Sequence, residues 1–156
     1  MTETKDEAKR YSIYAWRQTV DGRILDHNGS LGYDYDQCVD VPNNWAVHIG
    51  IQESYGNAKD LDYSHDCDWI DNGPSNHPMP GDIVIWKGYP ADPAYGHVAV
   101  ALHGCTDLRL RCESQNWPDF SNCHAVIFGT QPPTGDGYQG VAGWFHPRKL
   151  GPQGAV

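Results

Sequence analysis

Hydrophobic residues recur with a helical period near the N-terminus of the chain. Ile13, Trp16 and Val20 follow one another at spacings of three and four residues, which is typical of one face of a helix. The sequence Thr4-Lys5-Asp6-Glu7 ahead of them has the form of a capping box, with Thr at the cap and Glu three residues later. We therefore expect a first helix from Thr4 to about Val20.

A second helix is predicted from Gln37 to Ile51, where Cys38, Val41 and Trp45 lie on one stripe. Pro42 interrupts its first turn, because proline has no N–H to donate to the carbonyl of Cys38 and its ring crowds that carbonyl. The helix must therefore begin close to Cys38 or have an irregular first turn. In both cases Cys38 lies at a helix start.

The rest of the chain changes from polar to strand-like. Tyr55-Gly56-Asn57 is the predicted stop of the second helix, and Leu61 to Pro80 has no helical or strand period, so we expect a long surface connection there. After Pro80 the pattern predicts five strands. They are Asp82–Trp86, His97–Leu102, Leu108–Gln115, Cys123–Phe128 and Val141–Phe145. We predict an α+β fold, with N-terminal helices packed on a small antiparallel sheet of about five to six strands.

Composition narrows the class of protein. The 156 residues suffice for one domain around a single core. The formal net charge of −9, without any basic run, excludes a nucleic-acid binder, because the phosphate backbone is held by clustered cations. The apolar runs are too short to cross a bilayer, and Met1 to Arg10 lacks the apolar segment of a signal peptide. We expect a soluble domain without an export signal of its own.

The five cysteines are an odd number, so at least one stays unpaired in a monomer, and we expect this to be Cys38. The sequence leaves open whether the other four form two disulfides or are buried thiols. These four are Cys67, Cys105, Cys112 and Cys123. Neither His65-Asp66-Cys67-Asp68 nor Cys123-His124 has the spacing of zinc ligands, so no metal site is predicted.

Cys38 is the candidate nucleophile. A thiol attacks a carbonyl well as the thiolate, which a helix N-terminus and a neighbouring imidazole favour. His97 is the candidate base, and Gly96 before it leaves room for another backbone to approach. His97 would share a strand face with Ala99 and Ala101, whose small side chains would let the Cys38 helix pack closely.

The imidazole needs a partner that fixes its orientation. In the strand that follows, Asn116 falls on the apolar face that we expect to look toward the Cys38 helix, whereas Glu113 falls on the other face. A bulge would reverse this, so both residues stay candidates. The backbone N–H of Cys38 and the side-chain amide of Gln37 are the predicted donors to an oxyanion.

Three aromatic residues are candidates for substrate binding, namely Trp86, Tyr95 and Trp117. For the two tryptophans a position in the core or at its rim is the alternative.

Five segments, taken in order, resemble the CHAP domain (cysteine, histidine-dependent amidohydrolase/peptidase) of phage endolysins. They are Tyr33 to Asp40, Tyr55 to Asp60, Pro80 to Trp86, Gly96 to Val100 and Ser114 to Trp117. The resemblance spans about Tyr11 to Pro147. It implies a papain-like fold, with residues 1–150 as the catalytic domain and 151–156 as a linker or frayed tail. It also implies that Cys38 and His97 hydrolyse an amide bond of bacterial peptidoglycan, as an N-acetylmuramoyl-L-alanine amidase or a peptide endopeptidase.

The chain departs from the family pattern at two points. The acid that the family often has two residues before the asparagine is here Ser114, which leaves the third catalytic residue open between Asn116 and Glu113. Some members bind calcium through a loop ahead of the nucleophile, but the aligned positions here are Gly29 and Leu31. The segment Asp26 to Gly29 fits only after a shift of three residues, so we expect neither calcium nor another cofactor.

Peptidoglycan is the expected partner, and we expect a monomer that binds neither nucleic acid nor membrane. Because wall polymers are largely anionic, the charge of −9 predicts that a separate wall-binding segment or partner delivers the domain. The resemblance implies that the protein stays in the cytoplasm of the host bacterium until lysis. Alternative hypotheses are a bacterial wall-remodelling hydrolase, a toxin of the same fold, or an inactive wall-binding module.

Overall fold

The structure is a computed structural model that describes residues 10–25, 38–116, 123–129 and 137–152. Its helices are α1 (Ile13–Val20) and α2 (Asp40–Ile49), and two short 3-10 helices span Ala58–Asp60 and Arg148–Leu150. The strands are β1 (Cys67–Asp71), β2 (Ile83–Trp86), β3 (His97–Ala101), β4 (Arg109–Ser114), β5 (His124–Gly129) and β6 (Val141–Pro147). The predicted α+β class and five predicted strands are confirmed.

The six strands form one antiparallel sheet in the order β1-β6-β2-β3-β4-β5. Strands β2 and β3 lie at its centre, and all of their residues are buried. Layers of side chains therefore cover both faces of the sheet. Across the ranges that the structure describes, no helix has the length and hydrophobicity to cross a membrane.

Strand β1 corrects the sequence analysis, which predicted a surface connection from Leu61 to Pro80. The strand lies at the edge of the sheet and pairs with β6, from Cys67 opposite Pro147 to Asp71 opposite Gly143. Of its five residues only Cys67 is buried, so the strand has almost no hydrophobic pattern. An edge strand of this kind is held by backbone pairing, which side-chain polarity does not reveal.

The predicted first helix is interrupted at Tyr11 and Ser12, since Arg10 is helical and a new helix starts at Ile13. The side chain of Ser12 accepts a hydrogen bond from the N–H of Ala15 at 3.2 Å and caps a helix whose first residue is Ile13. Ser12 thus satisfies one of the free N–H groups of the first turn. The predicted capping box from Thr4 to Glu7 lies outside the described residues.

Helix α2 has the irregular start that Pro42 predicts. It begins at Asp40, and the N–H of Val41 donates to the carbonyl of Cys38 at 3.3 Å, which is a turn of 3-10 type. The helix ends at Gly50, whose φ of 77° is left-handed, and not at the predicted stop between Tyr55 and Asn57. Gly50 at this position needs no strain to turn the chain away.

Two hydrophobic clusters cover the sheet. The helix-side cluster lies between the sheet and the helices, and the far-side cluster lies on the opposite face. Main members of the helix-side cluster are Trp16, Val41, Trp45, Ile49, Ile83, Ile85, Val98, Val100 and Phe145. The far-side cluster comprises Val84, Trp86, Ala91, Ala99, Ala101, Leu110, Cys112, Tyr138, Val141 and Trp144.

This division corrects one expectation. Helix α2 packs on the face of Val98 and Val100, and not on the face of Ala99 and Ala101. The predicted alternation along β3 is right, but the helix lies against the branched side chains, which fill more of the space between the two layers.

A buried pair closes the C-terminal end of the fold. Nδ1 of His146 lies 2.6 Å from Oδ1 of Asp82, and its Nε2 lies 2.6 Å from the carbonyl oxygen of Gly151. Two oxygen acceptors around one ring favour the doubly protonated imidazolium. The pKa of His146 is accordingly raised, mainly by its hydrogen bond to Asp82.

All five cysteines are free thiols, so the alternative of two disulfides is not realised. Cys67, Cys112 and Cys123 are buried, and Cys105 is half-buried.

Candidate active site

The candidate nucleophile lies one turn ahead of the regular part of α2. Cys38 is half-buried as a residue and packs against the helix-side cluster. Three backbone N–H groups face its sulfur, those of Val98, Cys38 itself and Val39. The start of α2 and the start of β3 therefore meet at this thiol.

Burial decides the protonation state of Cys38. It raises the pKa of the thiol to about 11, although the N–H of Val98 opposes the rise and the carboxylate of Asp40 adds to it. The expectation that the helix start lowers this pKa is therefore wrong for this arrangement. At neutral pH the resting thiol carries its proton.

The candidate base is the first residue of β3. The ring of His97 is buried on the far side of the sheet, where its centroid lies 5.2 Å from that of Trp86 and 6.4 Å from that of Phe128. Burial lowers the pKa of His97 to about 3, so the imidazole is neutral at neutral pH. A neutral imidazole can accept a proton, as a general base must.

Both candidate residues are found at the start of β3, where the strand is not paired with β4. Strand β3 pairs with β4 through Val100 and Ala101, so His97 and Val98 lie beyond the paired part. The thiol faces the N–H of Val98, the residue directly after His97. The backbone N–H groups of a strand lie in the plane of the sheet, so the thiol lies at the edge of β3, while the imidazole packs against Trp86 and Phe128.

Ser114 is the residue that holds the imidazole, and the sequence analysis missed it. Its Oγ lies 2.8 Å from Nε2 of His97, and Ser114 is fully buried at the end of β4. A signal existed, since Ser114 occupies the position where the family often has an acid. A hydroxyl there can accept a hydrogen bond from the ring as an acid would.

Glu113 lies on the other face of β4. Its Oε2 accepts a hydrogen bond from Nε of Arg17 at 2.9 Å, and Sγ of Cys123 lies 3.5 Å from its Oε1. Burial raises the pKa of Glu113 to about 7, against the opposing effect of Arg17. Glu113 therefore ties β4 to α1 on the helix side and is not the partner of His97.

Asn116, the other candidate, follows β4 with a φ of 64°. This left-handed conformation is one that asparagine adopts more readily than most residues. The described hydrogen bond of His97 goes to Ser114 and not to Asn116.

The remaining predicted residues are spread over several environments. The N–H of Cys38 is one of the groups around the sulfur, whereas Gln37 and Trp117 lie outside the described residues. Trp86 is only 1% exposed and packs on His97, so it has no free face for a substrate. Tyr95 is 62% exposed at the approach to β3.

Gly96 allows the close backbone approach that the sequence predicts. The N–H of Lys59 donates to the carbonyl of Tyr95 at 3.0 Å. A Cβ atom on Gly96 would lie 2.4 Å from the carbonyl oxygen of Trp86 and 2.6 Å from Cβ of Lys59, and its φ of 71° is left-handed. Only glycine fits here without strain, so the segment from Ala58 to Asp60 can pack beside His97.

Among the described residues, no group of three acidic, histidine or cysteine side chains has the arrangement of a metal site. The calcium candidates Asp26, Asn28 and Gly29 lie outside those residues. The absence of calcium therefore stays a prediction.

Comparisons with known proteins agree with this fold. The wild-type endolysin LysIME-EF1 has a TM-score of 0.68 and 23% identity over 86% of this chain and 62% of its own. The structure of Ly7917 has a TM-score of 0.56 and 17% sequence identity to this chain. The structure titled as Ly7917 with the hydrolyzing product of MDP has a TM-score of 0.55 and 18% sequence identity. Each match covers 93% of this chain and 63% of the Ly7917 chain. The chain thus spans less than two thirds of the length of those proteins. The structural similarity shows that the chain has the papain-like CHAP fold.

No curated protein sequence matches the chain. Residues 28–116, more than half of the chain, match the sequence model of the family described as CHAP domain. This segment includes Cys38, His97 and Ser114. The chain therefore belongs to the CHAP domain family.

Proposed function

We propose that this domain is a peptidoglycan hydrolase that cleaves an amide bond with Cys38 as nucleophile and His97 as base. The observation that carries the proposal is the contact of the Cys38 thiol with the N–H of Val98, the residue directly after the buried and neutral His97. Membership of the CHAP domain family and the likeness of the fold to endolysins support peptidoglycan as the substrate.

The two pKa values favour attack by a thiol that loses its proton during the reaction. With Cys38 near 11 and His97 near 3, a resting thiolate–imidazolium pair is unfavourable. The sulfur attacks the carbonyl carbon while its proton passes to His97, and the carbonyl oxygen becomes an oxyanion. The backbone N–H of Cys38, with the side chain of Gln37, stabilises that oxyanion.

The second half returns the enzyme to its starting state. His97 gives its proton to the leaving amine as the carbon–nitrogen bond breaks, which leaves a thioester on Cys38. Water then attacks the thioester with His97 as base, and the carboxylic acid and the thiol are released. Ser114 keeps the ring in place throughout by the hydrogen bond between its hydroxyl and Nε2 of His97.

The test is the loss of wall lysis in two variants. Cys38→Ala and His97→Ala should each lower the turbidity-clearing rate on purified walls at least ~1,000-fold, as is typical when a nucleophile or its base is removed. Cys105→Ser is the matched control, because it removes a half-buried thiol outside the site. Retained lysis by either site variant would overturn the mechanism.

The scissile bond is a separate question, which mass spectrometry of digested peptidoglycan answers. New termini at the lactyl group of muramic acid would identify an amidase, and new termini within peptides an endopeptidase. Walls that bind the unaltered domain but release no fragments would favour an inactive wall-binding module.

A further inference from the structure

A groove with a volume of about 260 Å³ opens on the helix side of the sheet. Its floor is apolar and consists of Leu61, Ile85, Phe145 and Trp69. Trp69 is 39% exposed, and its ring meets that of Phe145 edge-on at 4.7 Å, so this part of the floor is rigid. The volume is below the usual range of ligand pockets, roughly 300–1,000 Å³, and suits a short peptide better than a large molecule.

The floor of the groove includes a residue of β2 that is paired with the strand contacted by the candidate nucleophile. Ile85 in its floor pairs with Val98 across β2 and β3, and the N–H of Val98 faces the sulfur of Cys38. Ile85, Val98 and Cys38 all belong to or pack against the helix-side cluster. A substrate held over Ile85 would therefore lie on the same side of the sheet as the thiol.

Two cations flank this floor. Lys59 is half-buried, and its Nζ donates to the carbonyl of Pro93 at 3.3 Å, whereas Lys87 is exposed after the end of β2. Within the described part of the chain neither lysine is in a salt bridge. The two lysines belong to a chain with only 11 basic residues against 20 acidic ones.

The groove also contains one carboxylate. Oδ1 of Asp62 accepts a hydrogen bond from the N–H of Ser64 at 2.9 Å, and Ser64 lines the same rim. The side chain of Ser64, together with this backbone bond, keeps the pKa of Asp62 below its ordinary value. The charge of the groove is therefore +1 in a domain whose formal net charge is −9.

We propose that this groove binds a peptide arm of the substrate that carries a free carboxylate. Lys59 and Lys87 pair with the carboxylate, and the aliphatic part of the arm covers Ile85 and the rings of the floor. The proposal rests on the proposed function, since it names the part of an amide substrate that lies beside Cys38. A positive groove in an acidic domain attracts anionic ligands and rejects cationic ones.

The experiment compares two substrates in lysine variants. The probes are N-acetylmuramoyl pentapeptide and the same compound with its carboxylates converted to carboxamides. Lys59→Gln and Lys87→Gln should each lower kcat/KM for the free acid about 3- to 10-fold, because each variant loses a partly exposed ion pair. The same variants should lower kcat/KM for the carboxamide less than about 2-fold. Glutamine keeps the Cβ and backbone N–H that Lys59 packs against Gly96 and Tyr95.

Arg109→Gln is the matched control, because it removes one positive charge from the exposed end of β4, away from Ser114. It should leave both substrates unchanged. Equal losses on the acid and the carboxamide, or no loss in the double lysine variant, would overturn the proposal.

A binding measurement separates this proposal from the catalytic one. Calorimetry of both probes with Cys38→Ala measures the groove without turnover. Cys38→Ala should bind the free acid more tightly than the carboxamide, and the triple variant with both lysine changes should lose this difference. That result would support the proposed role of the groove even if the unaltered domain cleaves neither probe. Equal binding of both probes would refute it even if cleavage occurs.

Discussion

Replacing Ser114 by alanine tests how His97 is held for catalysis. The hydroxyl lies 2.8 Å from Nε2 of His97, and both residues are buried. Without it Nε2 of His97 loses this hydrogen-bond partner in the buried interior. Leaving a buried polar group unsatisfied costs about 1–3 kcal/mol.

That cost sets the expected change in rate. At about 1.4 kcal/mol for each factor of ten, the loss in kcat is roughly 5- to 150-fold. KM should change little, because Ser114 is buried and touches the imidazole and not the substrate. Ser114→Thr should recover most of the activity, since threonine keeps the hydroxyl.

The assay is steady-state hydrolysis of a soluble muropeptide, with thermal unfolding of each variant to exclude loss of the fold. Glu113→Gln and Asn116→Ala are the comparisons, and each should lower kcat less than Ser114→Ala. Glu113 lies on the other face of β4 and pairs with Arg17. A larger loss in Asn116→Ala, or a failure of threonine to restore kcat in a folded variant, would refute the assignment of Ser114.

Four further experiments test the packing at Gly96, the pair of His146 and Asp82, the protonation of Cys38 and the expected absence of calcium. Gly96→Ala should destabilise the domain by about 2 kcal/mol or more in denaturant unfolding, because its Cβ would collide with backbone at 2.4 Å; unchanged stability would contradict the close packing. The hydrogen bond to Asp82 raises the pKa of His146, so the free energy that this pair contributes to folding is complete below the ordinary histidine value of about 6.5. It is lost as pH rises through the folded-state pKa. His146→Gln should flatten this decline of the unfolding free energy with pH, and an equal slope in both proteins would disprove it. Peptide mass spectrometry can follow the alkylation of Cys38 by iodoacetamide at pH 8. The reaction should be at least ~10-fold slower than that of free cysteine, because burial raises the pKa of Cys38 to about 11. A rate equal to that of free cysteine would refute the neutral thiol. Removal of divalent cations with a chelator should leave lysis unchanged, and a loss that calcium restores would show a calcium site.

The sequence by itself predicts the elements that have their own periodicity. The strands β2 to β6 and the hydrophobic stripe of α2 are visible because apolar side chains recur at spacings of two, three and four residues. Pro42 and Gly96 are informative for a similar reason. A missing N–H and a missing Cβ act on their immediate neighbours, so the irregular start of α2 and the close approach of Lys59 follow from local chemistry.

The tertiary structure decides what depends on contacts between distant segments. Alternation shows which residues of β3 share a face, but not that α2 packs on Val98 and Val100, since both faces of the central strands are buried. Strand β1 has almost no hydrophobic pattern and exists because β6 offers a free edge. Neither the face on which α2 packs nor the pairing of β1 can be predicted from one segment alone.

The chemistry of the site divides in the same way. Cys38 and His97 can be selected from residue type, helix start and motif order in the sequence. Their pKa values cannot, because they depend on how completely the packed layers exclude water, and here burial outweighs the N–H groups around the sulfur. The partner of His97 also had to come from the structure, since Ser114 reaches Nε2 only through the positions of β3 and β4 at the end of the sheet.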